Sequence, residues 1–114
     1  MLRILNTKLQ QRKLADNWRL WSEKIAKAAE KILGQCELHV FGSVAENHGT
    51  GASDVDILII CDQLPRSSKS RGNIKAKIEE EAGLPLFHPF EIHLADRPEA
   101  SLYFRYTKKT IKIQ

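Results

Sequence analysis

The sequence predicts a small α/β or α+β domain in which a few-stranded sheet is covered on one face by helices. Three observations predict it: a long segment with apolar residues every three or four positions, short β-branched segments fenced by glycine and proline, and an overall order of helix, strand, strand, helix, strand, helix. At 114 residues, 42% hydrophobic and 28% charged, the chain has the size and balance of one core spanning residues 1–114.

The first element is the clearest. Leu14, Trp18, Trp21, Ile25, Ala28 and Ile32 alternate steps of four and three while Arg12, Lys13, Arg19, Glu23, Lys24, Lys27 and Lys31 fill the other faces, which predicts one long amphipathic helix starting near Asn6 or Thr7. Gly34 is its expected stop. The segment Cys36 to Phe41 then alternates, with Leu38 and Val40 on one face, and reads as a strand entering a turn at Gly42-Ser43. Asp54 to Cys61 is a second strand, apolar enough to be central, bounded by Gly49, Gly51 and Ser53 upstream and by Asp62 and Pro65 downstream. Ile74, Ile78 and Ala82 predict a second, more polar helix between Arg66 and Ala82, with Gly72 a weak point inside it and Gly83 and Pro85 ending it. Phe90 to Leu94 alternates again and predicts a third strand. Asp96, Pro98 and Glu99 supply an N-cap, an early proline and a capping-box partner for a short helix to about Phe104, and the tail Lys108 to Gln114 is a strand or a frayed end.

Charge and cysteine content exclude little but orient the reading. Eighteen Lys and Arg against fourteen Asp and Glu give a net charge of +4, dispersed along the chain and unaccompanied by a stacking-aromatic motif, which disfavours a dedicated nucleic-acid binder. The longest apolar run, Ile57 to Cys61, is far below a membrane span, so the expected protein is soluble and cytoplasmic. Cys36 and Cys61 lack metal-site spacing and read as core thiols in a reducing cytosol, the alternative being a disulfide between them.

The chemistry lies in the carboxylates. Asp54 and Asp56, two apart on a strand, leave the same face with backbones about 6.5 to 7 Å apart. Two like charges beside an apolar run are costly unless a cation neutralises them, and carboxylate oxygens are what Mg²⁺ accepts; the plain alternative is a strand start at a solvent edge. Gly42-Ser43, directly after a strand, lets backbone amides and a hydroxyl approach a phosphate, and a short helix over 43–47 would turn its amino end to the same anion. A phosphate grip beside a metal pair is what phosphoryl transfer requires. Glu91 is the candidate third carboxylate, Asp96 its reserve, and His93 reads as a neighbour rather than a ligand because Mg²⁺ prefers oxygen.

Phe-Gly-Ser-Val at 41–44 followed by Ser-Asp-Val-Asp-Ile-Leu-Ile at 53–59 resembles the signature of the DNA polymerase β-like nucleotidyltransferase superfamily, and the short chain with a long leading helix resembles its minimal nucleotidyltransferases (MNT). The resemblance implies a small mixed sheet flanked by helices, with Gly42, Ser43 and Ser53 in the nucleotide site and Asp54, Asp56 and Glu91 holding Mg²⁺ in a two-metal centre. It implies transfer of a nucleoside monophosphate, AMP from ATP being the expected case, to a hydroxyl of a protein or RNA, with release of pyrophosphate. Two residues depart from the pattern. Ala45-Glu46-Asn47 stands where members often carry Ala-Arg-Gly, and the third acid is Glu91 where Asp is usual. Arg66, Lys69 or Arg71 can replace the missing arginine, or simply solvate their helix. Minimal members are often paired with a helical HEPN protein in toxin–antitoxin modules, so a weakly active antitoxin-like binding module is the competing expectation. The Leu14 to Ile32 seam and Tyr103, Phe104 and Tyr106 can serve a HEPN-type partner, a homodimer, or the core.

Overall fold

The computed structural model describes residues 2–42, 44–45 and 54–114, with side chains from Thr7 onward. The elements in chain order are α1 (Leu2–Asp16), α2 (Trp18–Leu33), β1 (Glu37–Phe41), β2 (Val55–Ile60), α3 (Ser68–Ala82), β3 (Phe90–Ala95), α4 (Arg97–Tyr106) and β4 (Thr110–Lys112). The four strands form one sheet in the order β3-β2-β1-β4. β1 is antiparallel to both β2 and β4, whereas β2 and β3 run parallel, joined by α3 as a crossover. The sheet is therefore mixed, and the tail is a strand.

The single long helix expected up to Gly34 is two helices. At Asn17 the backbone leaves helical geometry (φ −101°, ψ 33°), and the side-chain Nδ2 donates to the Lys13 carbonyl at 2.9 Å. The Asn17 backbone N–H is shared between the Lys13 and Leu14 carbonyls, each at 3.2 Å. An amide side chain that competes for a main-chain carbonyl is a recurrent cause of such a break. The apolar spacing survives it: Leu14 and Ala15 of α1 and Ile25, Ala26, Ala28 and Ala29 of α2 all join the core, with Trp18, Trp21 and Ile32 packed at its margin. The seam is core rather than a free partner surface.

That core fills the space between α2, α3 and one face of the sheet, where Leu38, Val40, Val55, Ile57, Ile59, Phe90, Ile92 and Leu94 alternate inward from three strands. α3 ends where Gly83 adopts the left-handed conformation (φ 78°, ψ 23°) that glycine takes without a Cβ penalty. The opposite face is not left open as expected. Leu58, Ile60 and Ala95 on that side pack with Ala100 of α4, and Phe41 and Tyr103 join them. α4 is held there by its predicted capping box, in which the Asp96 carboxylate accepts from the Glu99 N–H at 2.9 Å while Glu99 accepts from the Asp96 N–H at 3.0 Å. Arg97 adds ion pairs to Asp62 and Glu37 at 3.1 and 3.0 Å. Cys36 and Cys61 are buried free thiols just beyond the Glu37–Ile60 pair of the β1–β2 ladder. No helix among the described residues is long and apolar enough to cross a membrane.

Candidate functional site

The second sheet face is only half covered. α4 lies over the ends of β2 and β3 that carry Ile60 and Ala95, which leaves the start of both strands accessible. The register decides what appears there. Phe41 of β1 faces Asp56 of β2, and Asp56 faces Glu91 of β3, so one row across three strands reads Phe41, Asp56, Glu91. His93 is two residues further along β3 on the same side. Asp54 lies immediately before β2 and is exposed.

The start of β3 is fixed from below by His88. Its Nδ1 accepts from the Phe90 N–H at 3.1 Å, which leaves the proton on Nε2 to be donated to Glu79 of α3. The Val55 N–H donates to the Pro89 carbonyl at 2.8 Å and ties the two strand starts together.

Gly42, at the end of β1, has a φ of 83°, and a Cβ there would sit 2.5 Å from Asp56 Oδ2. Both facts require glycine: the backbone is in the left-handed region, and the carboxylate already occupies the side-chain space. Gly42 and the Asp-x-Asp strand, distant in sequence, thus come so close that Asp56 fills the space a side chain at position 42 would take.

Burial, ahead of the charge of Glu91, pushes the Asp56 carboxyl above its ordinary range; Asp54 adds to the push and His93 offsets part of it. The His93 Nε2 is 3.7 Å from Asp56 Oδ1 and 3.9 Å from Glu91 Oε1, longer than hydrogen bonds. That nitrogen is buried and has no hydrogen-bond partner among the described residues. One donor atom each from Asp56, Glu91 and His93 lie within 4.8 Å of one another. Two carboxylates, one disfavoured as an anion, beside an orphaned ring nitrogen fit a divalent cation, which supplies the positive charge the cluster needs. Phe41 and Tyr103 flank His93, each with ring centroids 5.6 Å from the imidazole. Beyond them Phe41, Leu102, Tyr103 and Tyr106 line a shallow hollow of about 370 Å³.

Of the residues expected at the site, Gly42, Asp56 and Glu91 come together, with Asp54 beside them. Ser43, Ser53, Glu46 and Asn47 lie outside the described residues. Asp96 is not a reserve carboxylate: it caps α4, at the far end of β3. Arg71 is not a phosphate ligand either. It donates to the Pro65 and Leu94 carbonyls at 2.7 and 3.4 Å and pairs with Glu99 at 2.9 Å, pinning α3 to α4 at the end of the sheet remote from Asp56. Arg66 and Lys69 are exposed and flank the α3 N-terminus at that same remote end. His93 is the residue that sequence reasoning set aside; its alternation with Glu91 was visible, but its approach to Asp56 depends on the β2–β3 register.

A mixed sheet whose parallel β2–β3 pair presents aligned carboxylates beside a left-handed glycine defines a nucleotidyltransferase palm of the DNA polymerase β-like kind. Within that class, the chain belongs to the family of the central palm domain of poly(A) RNA polymerase, mitochondrial-like, which residues 1–88 match. The match includes Gly42, Asp54 and Asp56 and ends before Glu91. Two solved structures share the fold. One, of a "putative nucleotidyltransferase", is 24% identical with a TM-score of 0.62 over 79% of this chain and 94% of that one. The other, of a "putative nucleotidyltransferase" from Sulfolobus solfataricus, is 17% identical with a TM-score of 0.59 over 95% of this chain and 83% of that one. No curated protein matches the chain.

Proposed function

We propose that the protein is a metal-dependent nucleotidyltransferase that transfers AMP from ATP to a hydroxyl of a protein or RNA acceptor and releases pyrophosphate. The observation that carries this reading is the alignment of Asp56 with Glu91 on adjacent parallel strands, directly against Gly42. Asp54, Asp56 and Glu91 would hold Mg²⁺, whose charge would neutralise the triphosphate and make the acceptor hydroxyl more acidic. Gly42 keeps the backbone close to Asp56, and Ser43 and Ser53 belong to the nucleotide side of the site. Glu91, the more exposed carboxylate with 58% of its side chain accessible, is the group placed to receive the acceptor's proton. The aromatic hollow beside His93 offers an apolar seat for the acceptor or for the base.

The test is calorimetric titration of ATP with Mg²⁺ and then with EDTA, on the wild type and on the Asp54→Asn/Asp56→Asn double variant, followed by transfer of radiolabelled AMP. Metal-dependent binding that the variant loses is the expected result. A folded wild type that binds no ATP with Mg²⁺ overturns the reading. The alternative, an antitoxin-like module that binds a HEPN-type protein with little turnover, is favoured by a separate observation. α4 leaves Leu102, Phe104 and Tyr106 exposed at 53%, 40% and 80%, an apolar surface suited to a protein partner. Partner binding by the double variant, undiminished, is the result that favours it.

A further inference from the structure

We propose that the His93 Nε2 is a direct ligand of the divalent ion, so that this centre is a mixed nitrogen and oxygen site preferring Mn²⁺ to Mg²⁺. The proposal rests on the metal-dependent reading above and specifies its donor set. The nitrogen stands nearly equidistant from the two carboxylates, 3.7 Å from Asp56 Oδ1 and 3.9 Å from Glu91 Oε1. A hydrogen-bonded histidine approaches one partner to about 3 Å; this one occupies the third corner of a triangle instead. Donors around a small divalent ion with bonds of about 2.0 to 2.2 Å are separated by roughly 3.0 to 3.6 Å. The observed separations close to that range by small side-chain rotations, and Glu91, with 58% of its side chain exposed, has room to make them.

Three further features favour ligation over bystander status. The Nε2 atom is buried and has no hydrogen-bond partner among the described residues, an unfavourable state that a bound cation relieves. Phe41 and Tyr103 hold the ring by tilted contacts, at interplanar angles of 50° and 57°, so its orientation toward the carboxylates is set by packing. Finally, β3 places His93 two residues after Glu91, so the strand itself delivers both donors to one face. Mg²⁺ is served by oxygen donors, whereas an imidazole nitrogen shifts preference toward the first-row transition ions.

The experiment uses Mn²⁺ and Mg²⁺ with the full chain, with and without a non-hydrolysable ATP analogue. Pulsed electron paramagnetic resonance of the Mn²⁺ complex is expected to show a directly coordinated ¹⁴N, replaced by a ¹⁵N signature when the wild type is labelled with ¹⁵N-histidine. In His93→Gln, checked for an unchanged circular dichroism spectrum, that coupling disappears. By calorimetry the wild type binds Mn²⁺ at least about tenfold more tightly than Mg²⁺, and His93→Gln weakens Mn²⁺ binding more than Mg²⁺ binding, so that the preference is lost. Bound Mn²⁺ without nitrogen coupling, or a coupling that persists in His93→Gln, overturns the proposal and leaves the metal-dependent reading standing; His93 is then a neighbour of the carboxylates and not a ligand. A folded wild type that binds neither ion, with or without the analogue, overturns both.

Discussion

Gly42 and Asp56 set the tolerance of the site to single substitutions. A methyl group at position 42 meets Asp56 Oδ2 at 2.5 Å and is strained at a φ of 83°. Gly42→Ala is therefore expected to cost about 1–3 kcal/mol of stability and to displace the carboxylate, seen as a lower melting temperature together with weakened metal and ATP binding. Asp56→Asn acts in the opposite sense on stability. Because burial and Glu91 raise the Asp56 pKa in the folded chain, its ionised form opposes folding at neutral pH, and that opposition is relieved as pH falls through the raised folded value. In EDTA at pH 7 the asparagine variant is expected to melt at or above the wild type while losing nucleotide binding. The gain should vanish in acid, where the wild-type carboxyl is itself neutral. A variant that melts well below the wild type at pH 7 contradicts this assignment of the strain.

Among the elements, α4 depends most visibly on charge. Glu99 closes the α4 capping box and receives Arg71 from α3, and the Arg71 hydrogen bond, ahead of the Asp96 N–H, holds its carboxyl down to about 2. A depressed acid contributes stability above its unfolded value of about 4.5 and loses it as pH falls toward 2. With 43% of the Glu99 side chain exposed, solvent screening limits the contribution to about 1 kcal/mol. Wild type should therefore melt above Glu99→Gln at pH 7, and the two curves should converge as pH is lowered from about 4.5; a constant offset across that range contradicts the ion pair as the source. These elements also show what the sequence made legible. The α4 cap was readable because Asp96, Pro98 and Glu99 are close in sequence, β1 and β3 because their apolar residues alternate, and β2 because its β-branched run is nearly continuous and buried. The break at Asn17 was not, since the apolar spacing continues through it and the competing amide is a local effect. Nor was the packing of α4 on the second sheet face, or the duty of Arg71 at the remote end, because both depend on which strands become neighbours.

Across the whole molecule, the charges of the candidate site and those that pin α4 lie at opposite ends of the sheet. Asp54, Asp56, Glu91 and His93 gather where β2 and β3 begin, whereas Arg71, Glu99, Arg97, Glu37 and Asp62 stitch the helices together where they finish. Substitutions at one end should leave the other largely undisturbed. β4 has a different global role: Ile113 and Gln114, just beyond it, bond to Leu38 at 2.8 and 2.9 Å, and Ile111 and Ile113 pack on the core. Removing residues 108–114 uncovers the β1 edge, so the truncated chain is expected to melt lower and to associate as concentration rises, which light scattering reads directly. Retention of a monomer with unchanged melting contradicts that role for β4.

The parallel pairing of β2 with β3 also has a temporal consequence. Asp56 and Glu91 become neighbours only after α3 has crossed over and β3 has docked, a long-range step of the kind that forms late in folding. An ion that binds the finished cluster has no counterpart in the unfolded chain, so it raises stability by mass action in proportion to its concentration. During synthesis, a nascent chain that has emerged only as far as Gly83 already carries the Asp-x-Asp strand but lacks the strand that completes the cluster. The cluster therefore waits for β3, and an ion bound to it would also report that the sheet has closed in the right order.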